Sequence, residues 1–551
     1  MRVLLALLVP AALAVGLAPR AAAQASTVGA PLDVVVAAGN KNVSVAFHAP
    51  QLPEGVTVLN YEASFSASCG ASWGNWVPAL PAGSVSPVQV GGLRNGVTQC
   101  LQLRAVTSAG RGRASAASEP FTPRKNTRSP IAPPTAGPPM TPKPTGTTTP
   151  AGVEIVVSPT GNDAAAGTRA APLRTLAAAW GRIPRNVTLT RPYTVVLLSG
   201  DYAASTMPNY WEWRRGTAAN PITIRADGPG RPVVLRGDLN MFEVHHVRVQ
   251  GVRILRDGDA VHCERCSFFT LDNVELNGGS DAWDLLKINQ ASDVTVRNST
   301  LRRAGDNVID MVAVQRATIS GNVISDANDW CAYAKGGSSG IVFERNEVTR
   351  CGTGGITAGQ GTGLEWMVAP WLTYEATDVV MRQNHVFDVD GAAFGVNGGR
   401  NITIEDNRAE RVGRRSHLIE VTFGERSCDG DAARCASLLR QGAWGTSTAG
   451  GDVYAAIPDR DVAIRNNVIV NPAGYRSAWQ HFEVSGPRTN TGARVGPSPA
   501  RTDQGLVITG NRIVNGDASM PLGIEGDTVC APSNPTCTVA QILRDNSINR
   551  T

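Results

Sequence analysis

Dense blocks of lysine or arginine are missing from this chain of 551 residues, and its net charge of +5 is small for that length. A nucleic-acid footprint needs a concentrated basic patch, so that class of partner is excluded. Aromatic residues are scarce, at 5%, which gives weight to any place where they gather. Beyond the first residues no apolar run approaches the roughly 20 needed to span a bilayer. Only one C-x-x-C occurs, Cys263-Glu-Arg-Cys266. No second pair exists to complete a zinc site, so a disulfide is expected there.

What is present begins with an export signal. Arg2 supplies a positive start, Val3 to Val15 an apolar stretch, and Ala23-Gln24-Ala25 a cleavage site, so residues 1–25 read as a signal peptide. A secreted or cell-surface protein follows. Ten cysteines fit an oxidising destination. Their spacing predicts the pairs Cys69–Cys100, Cys331–Cys351, Cys428–Cys435 and Cys530–Cys537. The length calls for two or three folding units, and 58 Gly with 35 Pro call for many turns.

Residues 28–122 carry short alternating strands, among them Val43-Ser-Val-Ala-Phe47 and Cys100-Leu-Gln-Leu-Arg-Ala-Val106, as a β-sandwich requires. The order of Val45-Ala-Phe47, Pro50, Tyr61, Gly91-Gly-Leu93, Gly96 and Arg104-Ala-Val-Thr-Ser-Ala-Gly110 resembles a fibronectin type III domain. A Phe stands where that pattern has an early Trp. Residues 123–152 are Pro/Thr-rich and read as an extended spacer.

From residue 153 to 551 a repeat takes over. Asn322, Asn346, Asn407, Asn467 and Asn511 each sit among β-branched residues, and uninterrupted spacings run at 23 to 25 residues, as from Asn322 to Asn346. A period in the twenties marks a solenoid. Leucine-rich repeats share it but need helices, and amphipathic helix is almost absent. The expectation is an all-β chain: a right-handed parallel β-helix preceded by the sandwich, its asparagines stacking at repeated left-handed turns. Pro172-Leu-Arg-Thr-Leu-Ala-Ala-Ala-Trp180 resembles the opening of exported β-helix proteins, with Leu176 to Trp180 as a capping helix.

Active sites of β-helices lie on outward side chains from successive coils. Asp310 stands between apolar Ile309 and Met311, so alternation turns it outward. Stepping by one period predicts a polar stripe of Asp284, Asp310, Lys335, Gln360, Asn397 and Glu420, with Asp306 close by. Coils stack about 4.8 Å apart. Carboxylates that close either repel or share a hard cation, which makes Asp284, Asp306 and Asp310 candidate Ca²⁺ ligands. Lys335 is then the candidate general base, with Gly336 and Gly337 clearing space beside it. Flanking Trp283, Trp330, Tyr333, Trp366, Trp371 and Tyr374 suit stacking on sugar rings.

At these residues the sequence is similar to the family 9 polysaccharide lyases, calcium-dependent β-helix enzymes that cleave pectate. The resemblance matches Asp284 to a lone calcium ligand, Asp306 and Asp310 to the ends of an Asp cluster, and Lys335 to the base. Asn307 replaces one Asp of the cluster, and Lys335 comes about one coil early. The polygalacturonase and pectin methylesterase patterns are missing.

The remaining candidates shape a groove. Insertions run over about 360–376 and 424–450. Arg414 and Arg415 are placed to clamp a uronate carboxylate, and His417 and His481 are candidate acid–base groups. The expected function is calcium-assisted β-elimination, or the epimerisation that shares its first step, on an acidic polysaccharide by a monomeric protein. The alternatives are a non-catalytic glycan-binding or adhesin-like scaffold and an inverting hydrolase using Asp306 and Asp310.

Overall fold

The structure is a computed structural model. It describes most of residues 28–123 and 152–550, apart from short gaps and the longer segments 80–87, 363–373, 437–445, 485–504 and 526–538. The signal peptide, nearly all of the Pro/Thr-rich segment, Trp283, Trp366, Trp371, His481, Cys435, Cys530 and Cys537 lie outside the described residues, as does most of the first insertion.

Two compact units divide between residues 146 and 147. In the first, two antiparallel sheets face each other. One joins Leu32–Ala38, Asn42–His48 and Val88–Gly91; the other is built on Val58–Ser66 and Cys100–Thr107. Alternation fixes which residues face in: Val43, Val45, Tyr61, Ala63, Leu101, Leu103 and Ala105 fill a shared core. The Cys69–Cys100 disulfide forms.

The second unit is a parallel β-helix. Three parallel sheets of 12, 11 and 12 described strands run its length, and except at the insertions and the ends each takes every third strand, so that one coil contributes one strand to each. Inward positions are Val, Ile and Leu stacked on their own kind, as in Ile224, Val249, Leu271 and Val296 of four successive coils. Outward positions are mostly part-exposed, as the burial alternation of Val247–Gln250 illustrates. The helix Leu176–Gly181 forms where expected, with Thr175 Oγ1 accepting from Ala178 N at 3.0 Å. It buries Leu176, Ala179 and Trp180 over the first coils, Trp180 standing 5.0 Å from Trp211.

The asparagines stack as an inward ladder. Asn322, Asn346, Asn384, Asn407, Asn467 and Asn511 each donate Nδ2 to the Oδ1 of the next rung at 2.8–3.1 Å, ending on Asn546. Each rung's Oδ1 also accepts the previous Asn's backbone N–H. The left-handed residue of each turn is not the Asn but the one before it, as at Gly321, Arg345, Gln383, Asp406, Asn466 and Gly510. That residue turns the chain so that the Asn side chain points into the coil. Cys263–Cys266 and Cys331–Cys351 are disulfides, the second tying neighbouring coils, and Cys428 is disulfide-bonded.

Candidate functional site

The 11-stranded sheet carries the predicted residues on its outer face, but in a different register. One column runs Lys287, Asp310, Tyr333, Thr357, Gly395, Glu420. A second, two residues along each strand, runs Asn289, Val312, Lys335, Gly359, Asn397, Thr422. The expected single stripe is therefore two. Coil steps here are 23 residues, so the spacings Asp284–Asp310 and Asp310–Lys335 overshoot by three and by two. Asp284 precedes the strand Leu286–Asn289, and Gln360 follows Gly354–Gly359.

Seven side chains nevertheless join Asp310 in one hydrogen-bonded chain. Lys335 Nζ donates to Tyr333 Oη at 3.0 Å, and Asn307 Nδ2 donates to the same oxygen at 3.0 Å. Asn307 Nδ2 also reaches Asp284 Oδ1 at 3.0 Å. Lys287 Nζ then bridges Asp284 Oδ2 at 2.7 Å and Asp310 Oδ2 at 2.6 Å. At the other end Lys335 Nζ lies 3.3 Å from Gln360 Oε1, and Gln360 Nε2 is 3.5 Å from Asp329 Oδ2. The strands around this chain, and Ala392–Asn397 beyond it, are buried on both faces, unlike most outward positions of the solenoid. Ile309–Val312 and Gly354–Gly359 are buried on both faces, and Trp330–Lys335 is buried except at Lys335.

Lys287 is the residue that sequence reasoning missed, and it bears on how these acids fit a cation. Its ammonium occupies the space between Asp284 and Asp310, where a shared cation would sit, and Asn307 contributes an amide in place of a third carboxylate. Among the described residues no three His, Cys, Asp or Glu side chains are grouped to hold a metal. The set Asp284, Asp306 and Asp310 does not fit Ca²⁺, which needs six to eight oxygens. A signal was available in the composition. The chain has five lysines, Lys41, Lys125, Lys143, Lys287 and Lys335, against 46 arginines. The only two in the β-helix both belong to this site.

The charges are tuned by burial. Asp310 is 1% exposed, its Oδ1 buried without a hydrogen-bond partner; burial pushes its carboxyl up to about 6 against the pull of Lys335 and Lys287. Burial also pushes Asp284 up, but Lys287 and Asn307 outweigh it and hold that carboxyl below its ordinary range. Asp306, half-buried, is raised by desolvation and by the charges of Asp284 and Asp329. Tyr333 is held in its phenol form by burial and the surrounding carboxylates. One coil upstream burial and Asp284 raise Asp259, while burial lowers His262, whose Nε2 is 3.4 Å from Asn289 Nδ2.

Other predicted roles change. Trp330 and Tyr333 are 4% and 3% exposed and pack with Ala392, so neither offers a free face to a sugar. Trp330 lies across Gly354 and Gly395, where any Cβ would strike its ring. Gly336 and Gly337 do not simply clear space. Both adopt positive φ, +65° and +83°, and a Cβ on Gly336 would stand 2.7 Å from Val312. His417 is 2% exposed, with Nδ1 3.9 Å from Glu420 Oε1. Glu420 shares the Tyr333 column but lies three coils on, so this pair does not join Lys335. Asn397 accepts from Thr357 Oγ1 at 2.7 Å and donates to Thr422. Arg414 is exposed on a turn.

The right-handed β-helix region family matches residues 259–426, which span the site, so the coil is right-handed. No curated protein matches the chain in sequence. Among solved structures, a rhamnogalacturonan lyase is 12% identical with TM-score 0.40, covering 65% of this chain and 87% of its own. A lacto-N-biosidase from Eubacterium ramulus is 12% identical with TM-score 0.38, over 65% and 67%. The A-module of a mannuronan C-5 epimerase from Azotobacter vinelandii is 11% identical with TM-score 0.35, over 61% and 90%.

Proposed function

We propose that this is an exported carbohydrate-active protein whose outer β-helix face performs acid–base chemistry on an acidic polysaccharide, as a lyase or as an epimerase sharing its first step. The fibronectin type III-like unit serves as a spacer. One observation carries the reading: Lys335 Nζ, part-exposed on the outer face, is hydrogen-bonded at 3.0 Å to the buried phenol of Tyr333. In β-elimination a base takes the proton beside the uronate carboxylate, the electron pair forms the C4–C5 double bond, and the C4–O bond breaks. Lys335, as the neutral amine, receives the proton and as the ammonium returns it to the departing oxygen, while the buried Tyr333 hydroxyl holds its Nζ in place. No step is routed through calcium.

A second reading has its own support. Asp259, Asp284, Asp306, Asp310 and Asp329 outnumber the two lysines of this face, which favours a neutral glycan. Asp306 is part-exposed and its carboxyl is raised, as a general acid's is, although Asp310, the other half of the expected hydrolytic pair, is 1% exposed. A screen of pectate, alginate, glycosaminoglycans and neutral glycans separates the two. Ultraviolet absorbance of unsaturated ends, lost in Lys335→Ala, supports elimination. New reducing ends without absorbance, lost in Asp306→Asn, support hydrolysis. Uncleaved glycan with uronates inverted at C5, read by proton NMR and lost in Lys335→Ala, supports epimerisation; glycan bound but neither cleaved nor epimerised overturns both readings and leaves a binding scaffold.

A further inference from the structure

Behind the outer face, two buried acids grip the turns that follow its polar residues. Glu375 is fully inaccessible, and its Oε2 accepts from Gly336 N at 2.9 Å and Thr362 Oγ1 at 2.7 Å. Its backbone carbonyl takes Gly337 N at 2.8 Å. Arg426, equally buried, donates Nε to the other carboxylate oxygen and Nη2 to Tyr374 O. Asp459 repeats part of the device: fully buried, it accepts from Gly399 N at 2.6 Å, while its Oδ2 is buried without a hydrogen-bond partner. Lys335 and Asn397 share one column and are each followed by Gly-Gly. In both cases the acid opens a later coil, just before the strands Ala376–Arg382 and Arg460–Arg465.

A fully buried ion pair gains little over well-packed apolar residues, because desolvation offsets the attraction. The location of the Glu375–Arg426 pair is therefore the informative feature. It joins the two insertions: Glu375 closes the first, and Arg426 lies in Gly424–Ser427, which pairs with Gly361–Thr362 and Asp452–Ile457. Gly424 approaches so closely that a Cβ would stand 2.6 Å from Asn397 O and 2.7 Å from Glu375 Cγ. The N–H that Glu375 holds belongs to the peptide leaving Lys335, and the positive φ of Gly336 leaves that turn no slack.

We propose that Glu375, fixed by Arg426, is a positioning residue that sets the backbone from which Lys335 reaches Tyr333, and that the paired strands Gly361–Thr362 and Gly424–Ser427 hold it on this turn. The kinetic arm of the test rests on Lys335 being the reacting base; the spectroscopic arm does not. With five lysines in the sequence, the full-length protein carrying ¹³C-dimethylated lysines gives few signals, assigned by Lys335→Arg and Lys287→Arg. In Glu375→Gln the Lys335 resonance and its pH titration move while Lys287 stays in place. A Lys335 signal unmoved in folded Glu375→Gln overturns the proposal, and so does equal movement of both lysines, the mark of a general structural role. Should Glu375→Gln not fold, Thr362→Val removes one hydrogen bond and keeps the ion pair. It gives a smaller Lys335 shift, and no shift overturns the proposal. On a glycan found by the screen, kcat of Glu375→Gln falls about tenfold or more at unchanged KM. Unchanged kcat beside an inactive Lys335→Ala refutes the positioning role alone. An active Lys335→Ala refutes the base and leaves the spectroscopic result to decide positioning.

Discussion

Lys287 Nζ stands 2.6 Å from the buried Asp310 Oδ2 and 2.7 Å from Asp284 Oδ2, an ammonium in the space where two carboxylates would otherwise share a cation. Removing it leaves two acids uncompensated in a low-dielectric setting. Lys287→Met is expected to destabilise the β-helix by about 2–4 kcal/mol, somewhat under the fully buried range because Lys287 is part-exposed. The same substitution opens the space. Wild-type melting is expected to be indifferent to calcium or chelator, whereas Lys287→Met gains a calcium-dependent rise. Calcium-dependent melting of the wild type would show that the ammonium does not exclude the ion.

Asp310 makes the stability of the fold pH-dependent in a defined direction. Its folded-state carboxyl is raised to about 6, above the roughly 3.9 of an unfolded Asp. The folded protein therefore holds this proton more tightly than the unfolded chain, and stability from this group is present below pH 4 and lost as pH rises to 6. The loss is about 3 kcal/mol as an upper bound. Asn at this position cannot titrate. The stability difference between Asp310→Asn and wild type should shift in favour of the variant from pH 4 to 6 and level off above. Denaturant unfolding across pH 3.5–8 reads this directly, and a difference that changes only below pH 4 would contradict the raised carboxyl.

The solenoid was legible because its signal is local: β-branched runs, a period in the twenties, and a recurring Asn whose side chain satisfies backbone groups of the preceding coil. The columns of the outer face were not. Asp310 and Lys335 both point outward, and positions two apart share that parity, so alternation cannot tell one column from the next. Lys287 was hidden between Leu286 and Ile288 in a short apolar run, although the scarcity of lysine marked it. Trp330 and Tyr333 were placed on the correct face but not recognised as buried, since their cover comes from neighbouring coils. Glu375 and Arg426 had no sequence signature, because their partnership spans 51 residues and two insertions.

Tyr333 and Lys335 should fail in different ways. Tyr333→Phe keeps the ring packed with Trp330 and Ala392 and removes only the oxygen that Lys335 and Asn307 both reach. The Asn307 amide keeps its bond to Asp284, so the cost in stability is expected to be about 1 kcal/mol. On an eliminating substrate kcat should fall about 100-fold with KM little changed, the signature of an interaction made in the transition state. Lys335→Ala should abolish turnover while melting within a few degrees of wild type. Full activity of Tyr333→Phe would remove the phenol from the reaction.

The Asn ladder offers a stability test that is independent of any activity. Asn407 is 2% exposed and donates Nδ2 to Met381 O at 2.9 Å and to Asn467 Oδ1, while its Oδ1 accepts from the backbone and side chain of Asn384. Asn407→Leu fills similar volume but leaves Met381 O, Asn384 N and the Asn384 amide without these partners inside the coil. Each buried orphan costs about 1–3 kcal/mol, so a loss of about 3–5 kcal/mol is expected, with unfolding that begins around this coil. Asn407→Asp keeps the acceptor for Asn384 and loses the donor to Met381, at the added cost of a buried carboxyl. It should therefore be partly tolerated at pH 4 and worse at pH 8. Hydrogen exchange at Asn384 N and the neighbouring strands His385–Val389 and Arg408–Val412 would locate the opening. Equal stability of Asn407→Leu and wild type would mean that the rungs are ornaments of packing and not what satisfies the turn.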